Sequence, residues 1–150
     1  MFSRPLALSA LRFDDIVVED IEKPIPTEFI RDDTRTILAR NDSPDIPFTY
    51  SINPYRGCEH GCIYCYARPS HEYLGYSSGL DFETKILVKH NAEQLLEKEF
   101  LKPTWNPESI CVSGNTDCYQ PAERKLQITR DLLKVFLKYR NPVRMITKNF

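Results

Sequence analysis

Cys58, Cys62 and Cys65 fall within eight positions of the segment GCEHGCIYCYARPSHEYLG, spaced C-x3-C-x2-C. Thiolates in such a cluster select zinc or iron-sulfur centres. Gly57 and Gly61 permit the tight backbone turns that aim several sulfurs at one place. A structural zinc closes a tetrahedron, so its fourth donor would have to be His60, His71, Cys111 or Cys118, because no second C-x-x-C pair is present. A four-iron cluster usually takes four cysteines, and three would leave one iron open for a substrate or cofactor. Arg56, two residues before the first cysteine, either offsets the negative charge of such a centre or pairs with a carboxylate.

The elements around the cysteines determine where they point. FTYSIN, residues 48–53, alternates apolar and polar side chains and runs into PYRG, a strand delivering the cysteine loop at its carboxyl end. LDFETKILVKH, 80–90, reads as a second strand, and Asn91 with Gln94 as a capping box opening the helix AEQLLEKEFL, which Lys102-Pro103 stops. SICVSG, 109–114, has the apolar run of a strand buried on both faces, and NTDCYQP follows as a loop. Ile128, Leu132, Val135 and Tyr139, widened by Leu126, Leu133 and Phe136, predict one helix over 122–140 with Pro121 at its start and Asn141-Pro142 at its end. VRMIT, 143–147, is again a buried strand, making 109–147 a strand-helix-strand unit expected to be parallel and right-handed.

Alternating strands and helices argue for an α/β fold, in which ligands gather at the carboxyl ends of the strands. There the cysteine loop, GNTDCYQP and KNF converge. Residues 1–47 show no sustained period and read as an irregular arm with one strand at Asp15–Val18. Cys111 lies in a predicted buried strand and reads as a small core hydrophobe, whereas Cys118 lies in the loop on the side from which a substrate would approach. Tyr66, Tyr73, Tyr76 and Tyr119 line the mouth of the site or pack around it.

Composition bounds the function. The 150 residues carry a formal charge of -1, from 20 basic and 21 acidic side chains, which gives no global field for nucleic acid or an anionic membrane. No apolar run reaches membrane-spanning length, and the amino terminus lacks the pattern of an export signal. Five cysteines, three of them clustered, fit a reduced cytoplasm and a metal site better than a disulfide framework.

CEHGCIYC, residues 58–65, resembles the CxxxCxΦC signature of the radical S-adenosylmethionine superfamily, with Tyr64 at the aromatic position. SINPYRGCEHGCIYCYARPSHEYLG, GLDFETKI and GNTDCYQPAERKLQITR further resemble the subgroup related to spore photoproduct lyase and described as DNA repair photolyase-like, over roughly residues 35–150. The resemblance implies a 4Fe-4S cluster held by Cys58, Cys62 and Cys65, with S-adenosyl-L-methionine on the open iron. It also implies reductive cleavage of that cofactor to a 5'-deoxyadenosyl radical, which abstracts hydrogen from an unidentified substrate. Tyr64 would border the adenine. Ser113, Gly114, Asn115 and Thr116 stand where the superfamily has a GGE-type segment, although the second Gly and the Glu are absent, so amino contacts would come from Asn115, Thr116 or backbone carbonyls. Lys148 would meet the cofactor carboxylate or ribose, and Cys118 would match the hydrogen-donor cysteine of spore photoproduct lyase.

Further implications concern the rest of the system. A flavodoxin- or ferredoxin-type protein would supply electrons, and DNA as substrate follows from the subgroup's name without support from the charge. The expected fold is a partial, TIM-like barrel of parallel strands with covering helices. The sequence ends just after the third expected strand, so residues 48–150 correspond to the amino-terminal half of such a core, leaving residues 143–147 as an edge strand. A non-catalytic zinc module or an inactive fragment is the alternative.

Overall fold

The computed structural model describes residues 25–149, so the strand expected at 15–18 lies outside the described residues. Among the described residues there are seven strands: β1 (Glu28–Arg31), β2 (Ala39–Arg40), β3 (Tyr50–Ile52), β4 (Tyr55–Arg56), β5 (Lys85–Val88), β6 (Ile110–Val112) and β7 (Val143–Met145). The helices are α1 (Leu80–Thr84), α2 (Ala92–Phe100), α3 (Glu123–Leu126) and α4 (Ile128–Tyr139), with a 3-10 helix at Arg68–Leu74. The strands form two sheets, β2-β3-β6-β7 and β1-β5-β4.

The first sheet delivers two of the three loops at the site, and β4 of the second leads into the cysteine loop. β3, β6 and β7 are parallel neighbours, with Ser51 opposite Cys111 and Cys111 opposite Arg144, while β2 closes the β3 edge in antiparallel fashion. Ile110, Cys111 and Val112 are all buried, as the unbroken apolar run of 109–114 requires for a strand covered on both faces. The expected strand-helix-strand connection from β6 to β7 is therefore parallel, and the three strand ends lie side by side. The described residues form no closed barrel.

The amphipathic stripe predicted for the last helix packs as expected: Ile128, Leu132, Val135 and Phe136 are buried. Phe100 of α2 meets Phe136 edge-on at 5.6 Å between centroids and lies 5.6 Å from the Tyr139 ring. Each fully buried aliphatic side chain, such as Leu96 or Leu132, contributes about 1.5–3 kcal/mol over its exposed state.

Four local expectations are corrected. The predicted single helix over 122–140 is broken at Gln127, whose φ of 53° ends α3 and starts α4. The buried Glu123 carboxylate explains the break, because it accepts from the N–H groups of Thr129 (3.1 Å) and Arg130 (3.1 Å) in the first turn of α4 and from the Tyr55 hydroxyl. Burial, together with this bond to the carboxylate, pushes the Tyr55 hydroxyl pKa far up. LDFET, read as strand, is helix α1, in which Phe82 is buried and the Asp81 carboxylate accepts from the Ser77 N–H at 2.9 Å, so only KILV is extended. Asn91 does cap α2 by position, but its side chain makes no capping hydrogen bond.

The fourth correction concerns the irregular arm: Glu28–Arg31 pairs in parallel with Lys85–Val88, and Ala39–Arg40 pairs with Tyr50–Ser51. These pairings are long-range and leave little local period to read. Among the described residues no helix is long and apolar enough to cross a membrane.

Candidate functional site

Three loops, which follow β4, β6 and β7, line one cavity of about 170 Å³. β4 comes two residues after β3 and belongs to the second sheet, so the cysteine loop starts from that sheet and not directly from β3 as the sequence suggested. Cys58, Cys62 and Cys65 line it from the first loop, Ser113 to Asp117 from the second, and Ile146 to Lys148 from the third. Among the described residues no three His, Cys, Asp or Glu side chains converge closely enough to chelate a single metal ion. A tetrahedral zinc needs every thiolate about 2.3 Å from one point. Thiolates bound to separate irons of a cluster need no such common point.

The cysteine loop is built from backbone turns. Gly57 has φ of 87°, and a Cβ there would lie 2.9 Å from the Phe82 carbonyl oxygen and 2.9 Å from the His71 ring. Gly61, at φ 61°, would press a Cβ against the Glu83 carboxylate. Cys58 N–H donates to Phe82 O at 2.9 Å, Gly61 N–H to Cys58 O at 3.2 Å and Cys65 N–H to Cys62 O at 3.1 Å. Gly57→Ala should therefore lower stability by about 1–3 kcal/mol through strained backbone and crowding. A shift of the urea midpoint at unchanged m would show it, and a midpoint equal to the parent's would contradict it.

Two side chains that the sequence reading did not single out hold this loop. Arg68, with a largely enclosed guanidinium, donates to Cys62 O (2.9 Å), Gly61 O (2.9 Å), Gly79 O (3.0 Å) and Ser78 O (3.2 Å), pairs with Glu83, and sits 5.3 Å from the Phe82 ring centroid. Gln120, fully buried, donates to Gly57 O at 3.1 Å and accepts from Glu59 N–H at 2.9 Å, tying the second loop to the first. An arginine three residues after a cysteine motif is a weak signal, and nothing local marks a buried glutamine.

Asp117 is the third missed residue. Its carboxylate accepts from Tyr119 N–H (2.8 Å), Thr147 hydroxyl (2.8 Å) and Lys148 N–H (2.7 Å), so it fastens the third loop to the second. The Asp-x-Tyr contact is an Asx turn, the one local clue to its role. His60 Nε2 lies 3.7 Å from this carboxylate and, though enclosed, has no hydrogen-bond partner among the described residues.

The predicted site residues separate into those at the cavity and those elsewhere. Tyr64 is exposed, and Lys148 Nζ stands 4.6 Å from its ring centroid and 4.0 Å from Cys62 Sγ. Ser113 has φ of 76°, donates its hydroxyl proton to Thr116 O and accepts from Cys118 N–H, so it shapes the loop. The Thr116 hydroxyl is also engaged, donating to Tyr55 O at 2.6 Å. Gly114 O accepts from the Tyr66 hydroxyl, and the Asn115 N–H donates to Asn53 Oδ1 at 2.8 Å, leaving the Asn115 side chain without a hydrogen bond among the described residues.

Other expectations are settled away from the cavity. Arg56 takes the salt-bridge role, with Asp32 at 3.1 Å. His71 is buried behind the loop and bonds Lys85 O through Nε2 at 2.9 Å. Tyr66 lines the cavity, whereas Tyr73 is almost fully exposed and Tyr76 packs on His71. Cys111 is core filler, as read.

Cys118 is not brought to the mouth. It is fully buried within the hydrophobic core and does not line the cavity, because the loop turns inward to let Thr129 donate to its carbonyl at 2.8 Å. Burial, with the nearby Asp117 carboxylate, raises its pKa from 9.0 to about 12. Burial likewise pushes the Cys58 thiol up. The neutral Cys118 thiol thus belongs to the folded state, and the stability it contributes is present below pH 9 and lost as pH climbs through about 12.

Alkylation of the metal-free protein at pH 8 should mark the half-exposed Cys62 and Cys65 first and the buried Cys58 more slowly, sparing Cys111 and Cys118 until unfolding. Peptide mass spectrometry reads the order. Labelling of Cys118 at the rate of Cys62 would contradict this placement.

No family model matches the chain, and no solved structure matches it. The chain is 40% identical over 103 residues to uncharacterized proteins of Mycobacterium bovis and Mycobacterium tuberculosis, covering 69% of this chain and 30% of each relative. An uncharacterized protein of Methanocaldococcus jannaschii is 33% identical over 85 residues, covering 57% of this chain and 30% of that protein. The matched part of the chain thus spans 30% of the length of these curated relatives, in both bacterial and archaeal proteins.

Proposed function

We propose that the chain carries the cluster-binding portion of a radical S-adenosylmethionine enzyme, of the kind that the CEHGCIYC motif resembles. The observation that carries the reading is the common cavity: three thiols from the loop after β4 line it together with the Ser113–Asp117 and Ile146–Lys148 loops, which leave the adjacent parallel strands β6 and β7. Its residues fit a cluster on the chemistry of the donor set, since Cys58, Cys62 and Cys65 are free thiols that all line the one cavity. Cys58, Cys62 and Cys65 would hold a 4Fe-4S cluster with one iron left open. When bound, cluster and S-adenosyl-L-methionine together supply a reductively generated 5'-deoxyadenosyl radical for hydrogen abstraction.

The chain's own residues bind and orient. Lys148 brings a cation beside Cys62 and the Tyr64 ring, a position suited to a carboxylate. Asn115 and nearby carbonyls offer acceptors for an amino group. Tyr64 and Tyr66 present flat apolar faces to a nucleoside. Hydrogen abstraction on a still unidentified substrate, a flavodoxin- or ferredoxin-type electron donor and a cytoplasmic setting complete the proposal. DNA as substrate draws no support from the charge of -1.

The test is anaerobic reconstitution with iron and sulfide, then dithionite and S-adenosyl-L-methionine, with chromatography for 5'-deoxyadenosine. Formation of that product is expected. A colourless protein holding stoichiometric zinc after the same treatment would instead support the zinc module.

A further inference from the structure

Arg68 packs against Phe82 and Glu83, and none of the three lines the cavity, whereas Cys62 and Tyr64 of the loop it holds do. It draws the carbonyl oxygens of Gly61 and Cys62 toward itself, each at 2.9 Å. The peptide bonds are trans, so the N–H of Cys62 and the N–H of Ile63, which share those two peptide units, point the opposite way. Neither N–H has an acceptor among the described residues. Gln120 reinforces the frame by taking the Gly57 carbonyl and the Glu59 N–H from the second loop.

We propose that Arg68 is a positioning residue which, by holding two consecutive carbonyls on its own side, presents the Cys62 and Ile63 N–H groups as an anion-stabilising nest on the cavity side. Consecutive N–H groups of this kind favour negative charge, and N–H donors near cluster sulfurs help set reduction potential. The clamp stands on geometry alone; the role toward a cluster rests on the function proposed above. Lysine keeps the charge but cannot reproduce the planar fork that reaches both carbonyls and Glu83 together.

The experiment uses Arg68→Lys, with Glu83→Gln as a second variant that keeps the guanidinium and weakens its anchor. In metal-free protein, hydrogen exchange should show lost protection at the Gly61 and Cys65 amides while α4 amides remain as in the parent. Reconstituted with iron and sulfide, each variant should lose iron to a competing chelator about 10-fold more readily. Its reduction midpoint should move to a more negative value, because the extra charge of the reduced state loses two donors.

Unchanged protection at Gly61 and Cys65 would overturn the clamp. Lost protection with parental chelator resistance and midpoint would overturn the nest. If the parent takes up no iron, the proposed function fails, and the amide measurement still decides the clamp. Should Arg68→Lys lose α4 protection as well, Glu83→Gln is read by the same criteria.

Discussion

A Cys62→Ala variant should remain folded and take up no brown chromophore after anaerobic reconstitution with iron and sulfide. Cys62 is half-exposed in a loop fixed through its backbone, by Arg68 on its carbonyl and by the Cys65 N–H, so losing its sulfur costs within about 0.5 kcal/mol of stability. Cys118→Ala reverses the pattern. That side chain is fully buried in the core, so its truncation should lower the urea midpoint while iron uptake persists. Visible absorbance and urea unfolding on the two variants separate ligand from filler. Iron retained by Cys62→Ala and lost by Cys118→Ala would overturn the ligand assignment.

The second large effect concerns a residue with no chemistry of its own. Gln120→Leu keeps similar volume in a fully buried position but leaves the Gly57 carbonyl and the Glu59 N–H without their partner. The orphaned buried Gly57 carbonyl costs about 1–3 kcal/mol, and the part-buried Glu59 N–H, which water can reach, adds less. The urea midpoint should fall accordingly, and the metal-free cysteine loop should become more open to alkylation at Cys58. A variant as stable as its parent would show that the bridge between the two loops contributes nothing.

These residues mark the boundary of what the sequence could reveal. β3 was readable from its alternation, and β6 and β7 as short apolar runs between breakers, but only β6 is buried on both faces. β7, read as a buried strand, is a largely exposed edge, since nothing among the described residues covers Val143 and Arg144 there. The three cysteines announced themselves by spacing. Arg68, Gln120 and Asp117 did not, since their roles consist of hydrogen bonds between segments up to 63 residues apart. Cys118 was misplaced for a related reason: a loop position says nothing of which side chains turn inward, and here Ser113 and Thr129 pull the backbone so that the thiol enters the core. The break at Gln127 escaped an amphipathic reading because the apolar stripe continues across it, while the cause, Glu123 capping the next helix, is a polar contact that the period does not record.

The fold account and the chemistry meet at Lys148. Its N–H is held by Asp117, and its ammonium group reaches both the Tyr64 ring and Cys62 Sγ, so the third loop places a cation where the first presents its sulfurs. A cluster ligated at three corners beside such a cation would accept an anionic amino-acid chelate at the fourth.

The central claim is tested most directly by electron paramagnetic resonance of the dithionite-reduced, reconstituted chain before and after S-adenosyl-L-methionine, alongside iron, sulfide and zinc analysis. The account predicts about four irons and four sulfides per chain and a reduced signal that changes when the cofactor is added, as an open iron requires. Zinc without iron or sulfide, or a cluster signal indifferent to the cofactor, would contradict it.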